Sequence, residues 1–220
     1  PRRPIGESII AGLNIHKIGT PKERVDIMMD LLKKVGMEEY HAHRFPHEFS
    51  GGQRQRIGIA RSLAVGPELI IADEPVSALD VSIQAQILNL LKDLQEEYGL
   101  TFLFIAHDLG VVEYISDRVA VMYLGRVVEL ADAKMLYRDA KHPYTKALMS
   151  AIPSLDPTRK SQRVLLPGDV PSPARVPPGC PFHTRCAAAM PHCREREPRL
   201  KPLESGHLVS CWLYEDSANG

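Results

Sequence analysis

The chain has 220 residues with 27 basic and 27 acidic side chains, so its formal net charge is zero. This balance gives no basis for a nucleic-acid partner, and we expect none. The composition, 44% hydrophobic and 25% charged, is that of an ordinary globular protein. The longest apolar runs, such as residues 100–106, are far shorter than the roughly 20 residues of a membrane-spanning helix. We therefore expect a soluble cytoplasmic protein whose membrane connection, if any, goes through a partner.

The first 65 residues are predicted to be mainly helical. One helix begins after Thr20-Pro21, an N-cap followed by a proline at the first helical position, and Gly36 is a natural stop. A second helix is predicted from Ser50, because Ser50 and Gln53 form a capping-box pattern. Apolar residues at helical spacing would form its buried stripe: Ile57, Ala60, Leu63 and Ala64.

From about residue 68 the pattern changes to strand, helix, strand. Residues 69–72 form a short, wholly apolar run, as expected of a strand buried on both faces. A helix with apolar residues at helical spacing follows, and residues 101–106 are the next strand. Parallel strands joined by a crossover helix carry their functional groups at their carboxyl ends. We therefore expect an α/β fold in which Asp73, Glu74 and His107 lie at one edge of the sheet.

Beyond this core, residues 118–123 and 126–130 are predicted to form a hairpin around Leu124-Gly125. Proline becomes frequent after about residue 140, which indicates a connector with little regular structure. We see no internal repeat.

The cysteines are confined to the last 41 residues: Cys180, Cys186, Cys193 and Cys211. In a reducing compartment such a cluster indicates metal ligands rather than disulfides. The spacing lacks the Cys-x-x-Cys pairs of common zinc ribbons, although four thiolates suit either zinc or an iron–sulfur cluster. Three histidines could replace a thiolate, but hydrogen bonding is their more usual role in such a segment: His183, His192 and His207.

Two short segments could carry phosphate chemistry. Ser50-Gly51-Gly52-Gln53 puts two glycines at a capped helix start, where backbone N–H groups and the helix dipole favour an anion. Asp73 is suited to Mg²⁺, usually through water, and Glu74 is suited to polarising the water that attacks a phosphate. Helix capping and turn capping are the structural alternatives. The order of both segments along one chain favours the chemical interpretation.

Four motifs resemble, in order, those of the ATP-binding-cassette (ABC) ATPases: Phe49-Ser50-Gly51-Gly52-Gln53, Asp73-Glu74, Ser77-Ala78-Leu79-Asp80 and Ala106-His107-Asp108-Leu109. The resemblance implies that the first is the signature, which contacts the γ-phosphate of ATP held by the opposite subunit. It implies that Asp73 is the Walker B acid associated with Mg²⁺ and that Glu74 is the catalytic base. Asp80 would belong to the D-loop, and His107 would be the switch histidine.

The phosphate-binding Gly-x-x-x-x-Gly-Lys-Ser/Thr motif (Walker A) does not occur in the sequence. In the family it precedes these elements, as does a glutamine loop, and residues 1–7 resemble the stretch that follows that loop. We therefore expect ATP hydrolysis by the intact protein and no activity from the 220-residue chain alone.

The rest of the chain is similar to the ATPases of oligopeptide and dipeptide importers, at residues 142–148, at 168–173 and in the cysteine segment. The resemblance implies a nucleotide-binding subunit that couples ATP hydrolysis to peptide import at the cytoplasmic face of the membrane. Its partners would be a second ATPase subunit, two permease subunits and, indirectly, an external peptide-binding protein. Members of this group hold a [4Fe–4S] cluster at the cysteines, which we expect here, with Zn²⁺ as the alternative.

The predicted fold is thus a partial ABC-type P-loop NTPase domain in three parts. Residues 1–67 form a helical subdomain with the signature, residues 68–139 an α/β core, and residues 140–220 a proline-rich connector with an irregular, cysteine-rich extension. Two alternatives remain open. One is a non-transport ABC ATPase, although no long coiled coil or basic arm is visible. The other is a metal-binding regulatory fragment without activity.

Overall fold

The computed structural model describes residues 2–152, 164–204 and 206–214. The chain forms two compact units, Pro1–Asp108 and Leu109–Gly220. The three-part division predicted from the sequence, with boundaries near residues 67 and 139, stays a prediction. Within the described ranges, no helix is long and apolar enough to cross a membrane.

Three helices fill the first part of the first unit: α1 (Ile5–Ile15), α2 (Pro21–Lys34) and α3 (Gly51–Leu63). The predicted starts of α2 and α3 are confirmed, and both helices carry a complete capping box, at Thr20 and at Ser50. The predicted stripe of α3 is buried. Two 3₁₀ turns, Glu39–His43 and Pro46–Glu48, link α2 to α3.

The predicted strand–helix–strand unit follows as β1 (Leu69–Asp73), α4 (Val81–Tyr98) and β2 (Thr101–Ile105). The two strands are parallel, with Leu69 opposite Thr101 and Asp73 opposite Ile105. Helix α4 supplies the crossover that a parallel pair requires. Gly99 ends α4 in the left-handed conformation, at a φ of 63°.

The prediction that β1 is buried on both faces is wrong for the described residues. Their first sheet has two strands, and alternate residues of both strands point to a face that carries no cover. The exposed fractions on this face are 53% for Leu69, 63% for Ile71, 52% for Leu103 and 46% for Ile105. The opposite face contains the buried Ala72. An apolar run in the sequence predicts a strand, but it does not show which elements cover the two faces of that strand.

The second unit contains helices α5 (Leu109–Ile115), α6 (Ala133–Arg138) and α7 (Pro143–Ser150) and an antiparallel sheet of β3 (Arg118–Tyr123), β4 (Arg126–Asp132), β5 (Lys201–Glu204) and β6 (His207–Val209). The sheet order is β3-β4-β6-β5. The predicted hairpin is confirmed as β3 and β4. Its turn has positive φ at both Leu124 (46°) and Gly125 (76°), as expected of the mirror-image turns that suit two-residue hairpins.

The prediction of little regular structure after residue 140 is wrong for two stretches. Helix α7 is capped by His142, whose Nδ1 accepts a hydrogen bond from the Tyr144 N–H. Strands β5 and β6 extend the sheet next to β4. These strands are short, and Pro202 lies within β5, so their pattern resembles a loop and their pairing depends on tertiary partners. Residues 153–163, which the prediction also covers, lie outside the described residues.

The core of the second unit combines aromatic rings with cysteines. Phe182 is 1% exposed, and its ring centroid lies 5.2 Å from that of Tyr123 and 5.4 Å from that of Tyr144. Cys180 and Cys193 belong to the same apolar cluster. The core is also unusually polar at one point, because three ionisable residues are almost fully buried: Glu129, His142 and His207.

Gly179 permits the close approach of the two cysteine-bearing loops. The Cys180 N–H donates to the Cys193 carbonyl at 2.8 Å. A Cβ atom on Gly179 would lie 2.4 Å from that same carbonyl oxygen, whereas nothing lies within 4 Å of a Cβ on Gly125. Both glycines have positive φ, 70° and 76°.

We predict that Gly179→Ala lowers the free energy of unfolding by about 1–3 kcal/mol more than Gly125→Ala does. Both substitutions introduce the strain of a positive φ, but only the first adds a clash with backbone. Urea denaturation of the two variants measures the difference. Equal losses would show that the approach at Gly179 can relax without cost.

We also predict that acid destabilises the second unit through His142. Burial lowers the pKa of His142 from 6.5 to about 4, although the Glu129 carboxylate opposes this shift. The unfolded chain therefore takes up the proton first, and stability present above pH 6.5 is lost as the pH falls towards 4. His142→Asn keeps an acceptor for the Tyr144 N–H but cannot titrate. Between pH 6.5 and 4 the wild type should lose about 3 kcal/mol more than this variant in urea denaturation, and parallel losses would contradict the assignment.

Candidate functional site

Asp73 and Glu74 lie at the carboxyl end of β1, where the strand leaves the sheet. Glu74 has a φ of 47°, a left-handed conformation that is uncommon for any residue other than glycine. Its backbone N–H donates to the Ile105 carbonyl of β2 at 2.9 Å, which fixes this conformation against the neighbouring strand. Strained backbone of this kind is often found at functional sites.

His107 follows β2 and lies beside Glu74. The distance between His107 Nδ1 and Glu74 Oε1 is 3.5 Å, and the two side chains are 71% and 52% exposed. The structure therefore brings together two of the three side chains that the sequence predicts at this edge, and the third, Asp73, is the last residue of β1. A carboxylate and an imidazole that are open to solvent and close to one another can orient a water molecule and exchange a proton with it.

The predicted D-loop connects this edge to α4. Asp80 is the N-cap of α4, and its Oδ1 accepts from the Ile83 N–H at 3.0 Å. Gln84 Nε2 donates to the carbonyls of Val76 and Leu79, at 3.0 and 3.1 Å, and so fixes the shape of the loop. Sequence reasoning did not identify Gln84, because an amide on a helix has no motif of its own.

The Ser50 and Gln53 side chains are engaged with their own helix. Ser50 Oγ accepts from the Gln53 N–H at 3.3 Å, and Gln53 Oε1 accepts from the Ser50 N–H at 3.0 Å. The capping that was the structural alternative is therefore present. A larger residue at either glycine would crowd its neighbours. A Cβ on Gly52 would lie 2.5 Å from Ile83 Cγ2, and one on Gly51 would lie 3.2 Å from Leu79 Cδ2.

The two glycines thus let the start of α3 approach α4 and the D-loop closely. Ser50 and Gly51 remain exposed, which leaves the first turn of α3 accessible. Backbone N–H groups at such a helix start can approach an anion held by another molecule.

The four cysteines lie around one cavity of the second unit. Its wall includes Cys180, Cys186, Cys193 and Cys211, together with His142 and Trp212. All four are free thiols. As their side chains stand, no group of three or more His, Cys, Asp or Glu residues in the described ranges is arranged to hold a metal ion. The structure thus brings the thiols to one place without arranging them as a ligand set.

Backbone N–H groups point at these sulfur atoms. Burial raises the pKa of Cys180 and of Cys186, and raises that of Cys211 to about 11. In each case a hydrogen bond from the N–H two residues further along opposes the rise. Cys193 Sγ accepts from the Met190 N–H at 3.4 Å. Such N–H donors stabilise a thiolate once a cation replaces the proton.

The three histidines of this segment make other contacts. His183 Nδ1 lies 2.8 Å from the Cys180 carbonyl. The His192 ring packs against the Trp212 ring with centroids 5.2 Å apart. His207 is completely buried beside Glu129. No role for Glu129 could be predicted from the sequence, because one acid on a strand normally faces solvent.

Comparisons with known proteins identify the family of the chain. The "ABC transporter" family model matches residues 5–77, and the model "Oligopeptide/dipeptide transporter, C-terminal region" matches residues 128–193. Together they cover the helical segment up to the D-loop and the beginning of the cysteine segment.

Individual relatives and structures are similar as well. YkfD of Bacillus subtilis, by name an oligopeptide transport ATP-binding protein, is 54% identical over 220 residues, which are 99% of this chain and 67% of YkfD. A Brucella ovis protein named for peptide import is 56% identical over 96% of this chain and 67% of its own length. A bacterial ABC transporter cassette solved as a dimer has a TM-score of 0.54 at 34% identity, covering 60% of this chain and 58% of the other. The chain therefore belongs to the ABC transporter family, among the ATP-binding proteins that share the C-terminal region of oligopeptide and dipeptide transporters.

Proposed function

We propose that this chain, within its intact protein, is the ATP-binding subunit of a peptide importer and couples ATP hydrolysis to peptide transport. The observation that carries the proposal is the approach of Glu74 to His107, 3.5 Å apart at the carboxyl edge of β1 and β2. The same chain carries the C-terminal region of oligopeptide and dipeptide transporters. The relatives named for peptide import span nearly all of it.

In this proposal Glu74 is the general base for hydrolysis. Its strained backbone and the bond from its N–H to Ile105 hold the residue at the sheet edge. The carboxylate would accept a proton from the attacking water. His107, as the switch histidine, would contact the γ-phosphate. Asp73 is exposed beside them and offers the oxygen ligand that Mg²⁺ prefers. Bound Mg²⁺ supplies positive charge that offsets the charge of the phosphates.

The partner surface proposed for this subunit is the start of α3 with the D-loop. Ser50, Gly51, Gly52 and Gln53 would contact ATP held by a second ATPase subunit, and Asp80 would lie across the same interface. Gly51 lies close to Leu79 of the D-loop and Gly52 lies close to Ile83 of α4, so the two segments are next to one another. Two permease subunits and, indirectly, an external peptide-binding protein complete the proposed transporter. The subunit would lie peripherally at the cytoplasmic face of the membrane.

We predict that Glu74→Gln in the intact protein lowers the rate of ATP hydrolysis at least about 100-fold, the usual contribution of a general base. ATP binding should persist, because the amide has the size of the carboxyl group. Steady-state phosphate release and equilibrium nucleotide binding measure the two effects.

Glu68→Gln is the matched control, since Glu68 is an exposed glutamate at the opposite end of β1. This variant should hydrolyse ATP at the wild-type rate. Near-normal turnover by Glu74→Gln would remove Glu74 from the role of base, and equal losses in both variants would indicate a general effect on β1.

We infer in addition that the four cysteines bind one metal centre, a [4Fe–4S] cluster in preference to Zn²⁺. The support is chemical: four thiols line one cavity, and each sulfur has a backbone N–H donor. Cys180, Cys186, Cys193 and Cys211 would be the ligands. The positive charge of a bound centre would favour the thiolate form of these cysteines.

We predict that protein purified without oxygen is brown and contains iron and acid-labile sulfide. Cys186→Ser should lower both, because it removes one ligand, whereas Thr184→Ser in the same turn should lower neither. Iron, zinc and sulfide analyses measure the outcome. Stoichiometric zinc without sulfide would replace the cluster by a zinc site, and four free thiols in folded, metal-free protein would exclude both.

A further inference from the structure

Glu129 is the most deeply buried carboxyl group described, with 0% of its side chain exposed. Three N–H donors surround it. The Lys141 N–H donates to Oε1 at 2.7 Å and the His142 N–H donates to Oε2 at 2.9 Å. His207 Nε2 lies 2.7 Å from Oε1, and it carries the proton because a carboxylate only accepts. Every donor reaches the carboxylate from a segment distant in sequence.

Both of those segments lead directly into the cavity that the cysteines line. His142 is part of the cavity wall and begins α7. His207 begins β6, the strand that runs to Val209 and then to Cys211. The backbone partner of Val209 is Glu129 itself. Glu129 thus contacts the segment before Cys211 at two points: its side chain meets His207, and its backbone pairs with Val209.

The four cysteines are held in place in different ways. Cys180 and Cys193 are joined by a direct backbone hydrogen bond of 2.8 Å and by the close approach at Gly179. Cys186 follows Cys180 within one short turn, Phe182 to Cys186, that includes the 3₁₀ helix His183–Arg185. Cys211 instead follows strand β6 by two residues, and the Ser210 N–H before it donates to the Val128 carbonyl of β4 at 2.8 Å. Tyr214 OH donates to the Lys141 carbonyl at 3.0 Å and ties that strand's continuation to the same loop.

We propose that Glu129 is a positioning residue for the four-cysteine site: its carboxylate fixes Cys211 and His142 against the cavity that Cys180, Cys186 and Cys193 line. A buried charge is a poor source of stability compared with an apolar residue of similar size. Its specific contribution is geometric, because three donors in fixed directions allow one arrangement of the loop and the strand. The metal-binding purpose rests on the proposed function of the cysteines, whereas the geometric role does not.

The test is Glu129→Gln in the intact protein. The glutamine has the same shape, but one of its two ends is an NH₂ group, so any orientation turns a donor towards at least one of the Lys141 and His142 N–H groups. Glu113→Gln is the matched control, because Glu113 is an exposed glutamate of the same unit. Far-ultraviolet circular dichroism establishes that both variants are folded at the temperature of the assays.

The first readout does not need a metal. In metal-free protein, iodoacetamide should alkylate Cys211 of Glu129→Gln about tenfold faster than in the wild type, since one hydrogen bond to a charged group is worth at least that factor in local opening. Mass spectrometry resolves the rate at each cysteine. An unchanged rate at Cys211, or an equal rise at all four cysteines, would overturn the proposal.

The second readout follows the metal centre. Glu129→Gln should hold less iron and sulfide per folded molecule. After one-electron reduction with dithionite, which makes a [4Fe–4S] cluster paramagnetic, the electron paramagnetic resonance spectrum of the remaining cluster should differ from that of the wild type. A purely structural role would lower stability but leave the spectrum of folded molecules unchanged, and that result would overturn the proposal. If the wild type holds no metal, the metal-centre proposal fails by itself, and the alkylation rates still decide the role of Glu129.

His207→Leu serves if Glu129→Gln does not fold. Leucine has no donor, so this variant removes one hydrogen bond to Glu129 and keeps the bonds from Lys141 and His142. We expect the same preference for Cys211 in alkylation, with a smaller increase. No preference for Cys211 in this variant would count against the proposal in the same way.

Discussion

The parallel hydrogen bonding of β1 with β2 places the carboxyl ends of two strands side by side. Glu74 continues that bonding for one residue beyond β1, since its N–H donates to the Ile105 carbonyl. The strained φ of Glu74 and its distance to His107 both follow from this extra bond. The loop after Glu74 then leads to Asp80, which caps α4, and α4 is the surface on which Gly52 packs. One backbone pairing therefore organises the proposed hydrolytic residues and, through α4, the proposed partner surface.

Much of the first unit could be predicted because its signals are local. Thr20 with Pro21 and Ser50 with Gln53 indicate helix starts, and Gly36 indicates a helix end. The edge location of Glu74 and His107 followed from the rule that parallel strands open at their carboxyl ends. The exposure of Ile71 could not be predicted in this way. It depends on which strands and helices lie nearby, and the pattern of one strand carries no information about that.

The second unit shows the opposite situation. Its cysteines were identified as a group, but the sheet that delivers Cys211 was missed, because β5 and β6 are short and become strands only by pairing with β4. Glu129 was missed for a related reason. The role of this one acid becomes visible only from the groups that contact it, on Lys141, His142 and His207. Those residues lie 12 to 78 positions away in the sequence. A metal-binding sequence pattern identifies the ligands, but it does not identify the residues that position those ligands.

The uncovered apolar face of the first sheet has a consequence for handling the chain. Leu69, Ile71, Leu103 and Ile105 present branched side chains in two adjacent rows, and in the described residues β1 and β2 pair only with each other. Exposed apolar surfaces of this kind promote association between molecules, and unpaired strand edges can pair with strands of other molecules. At high concentration the isolated 220-residue chain should therefore aggregate. Mild detergent or low concentration would keep it dispersed where added salt would not.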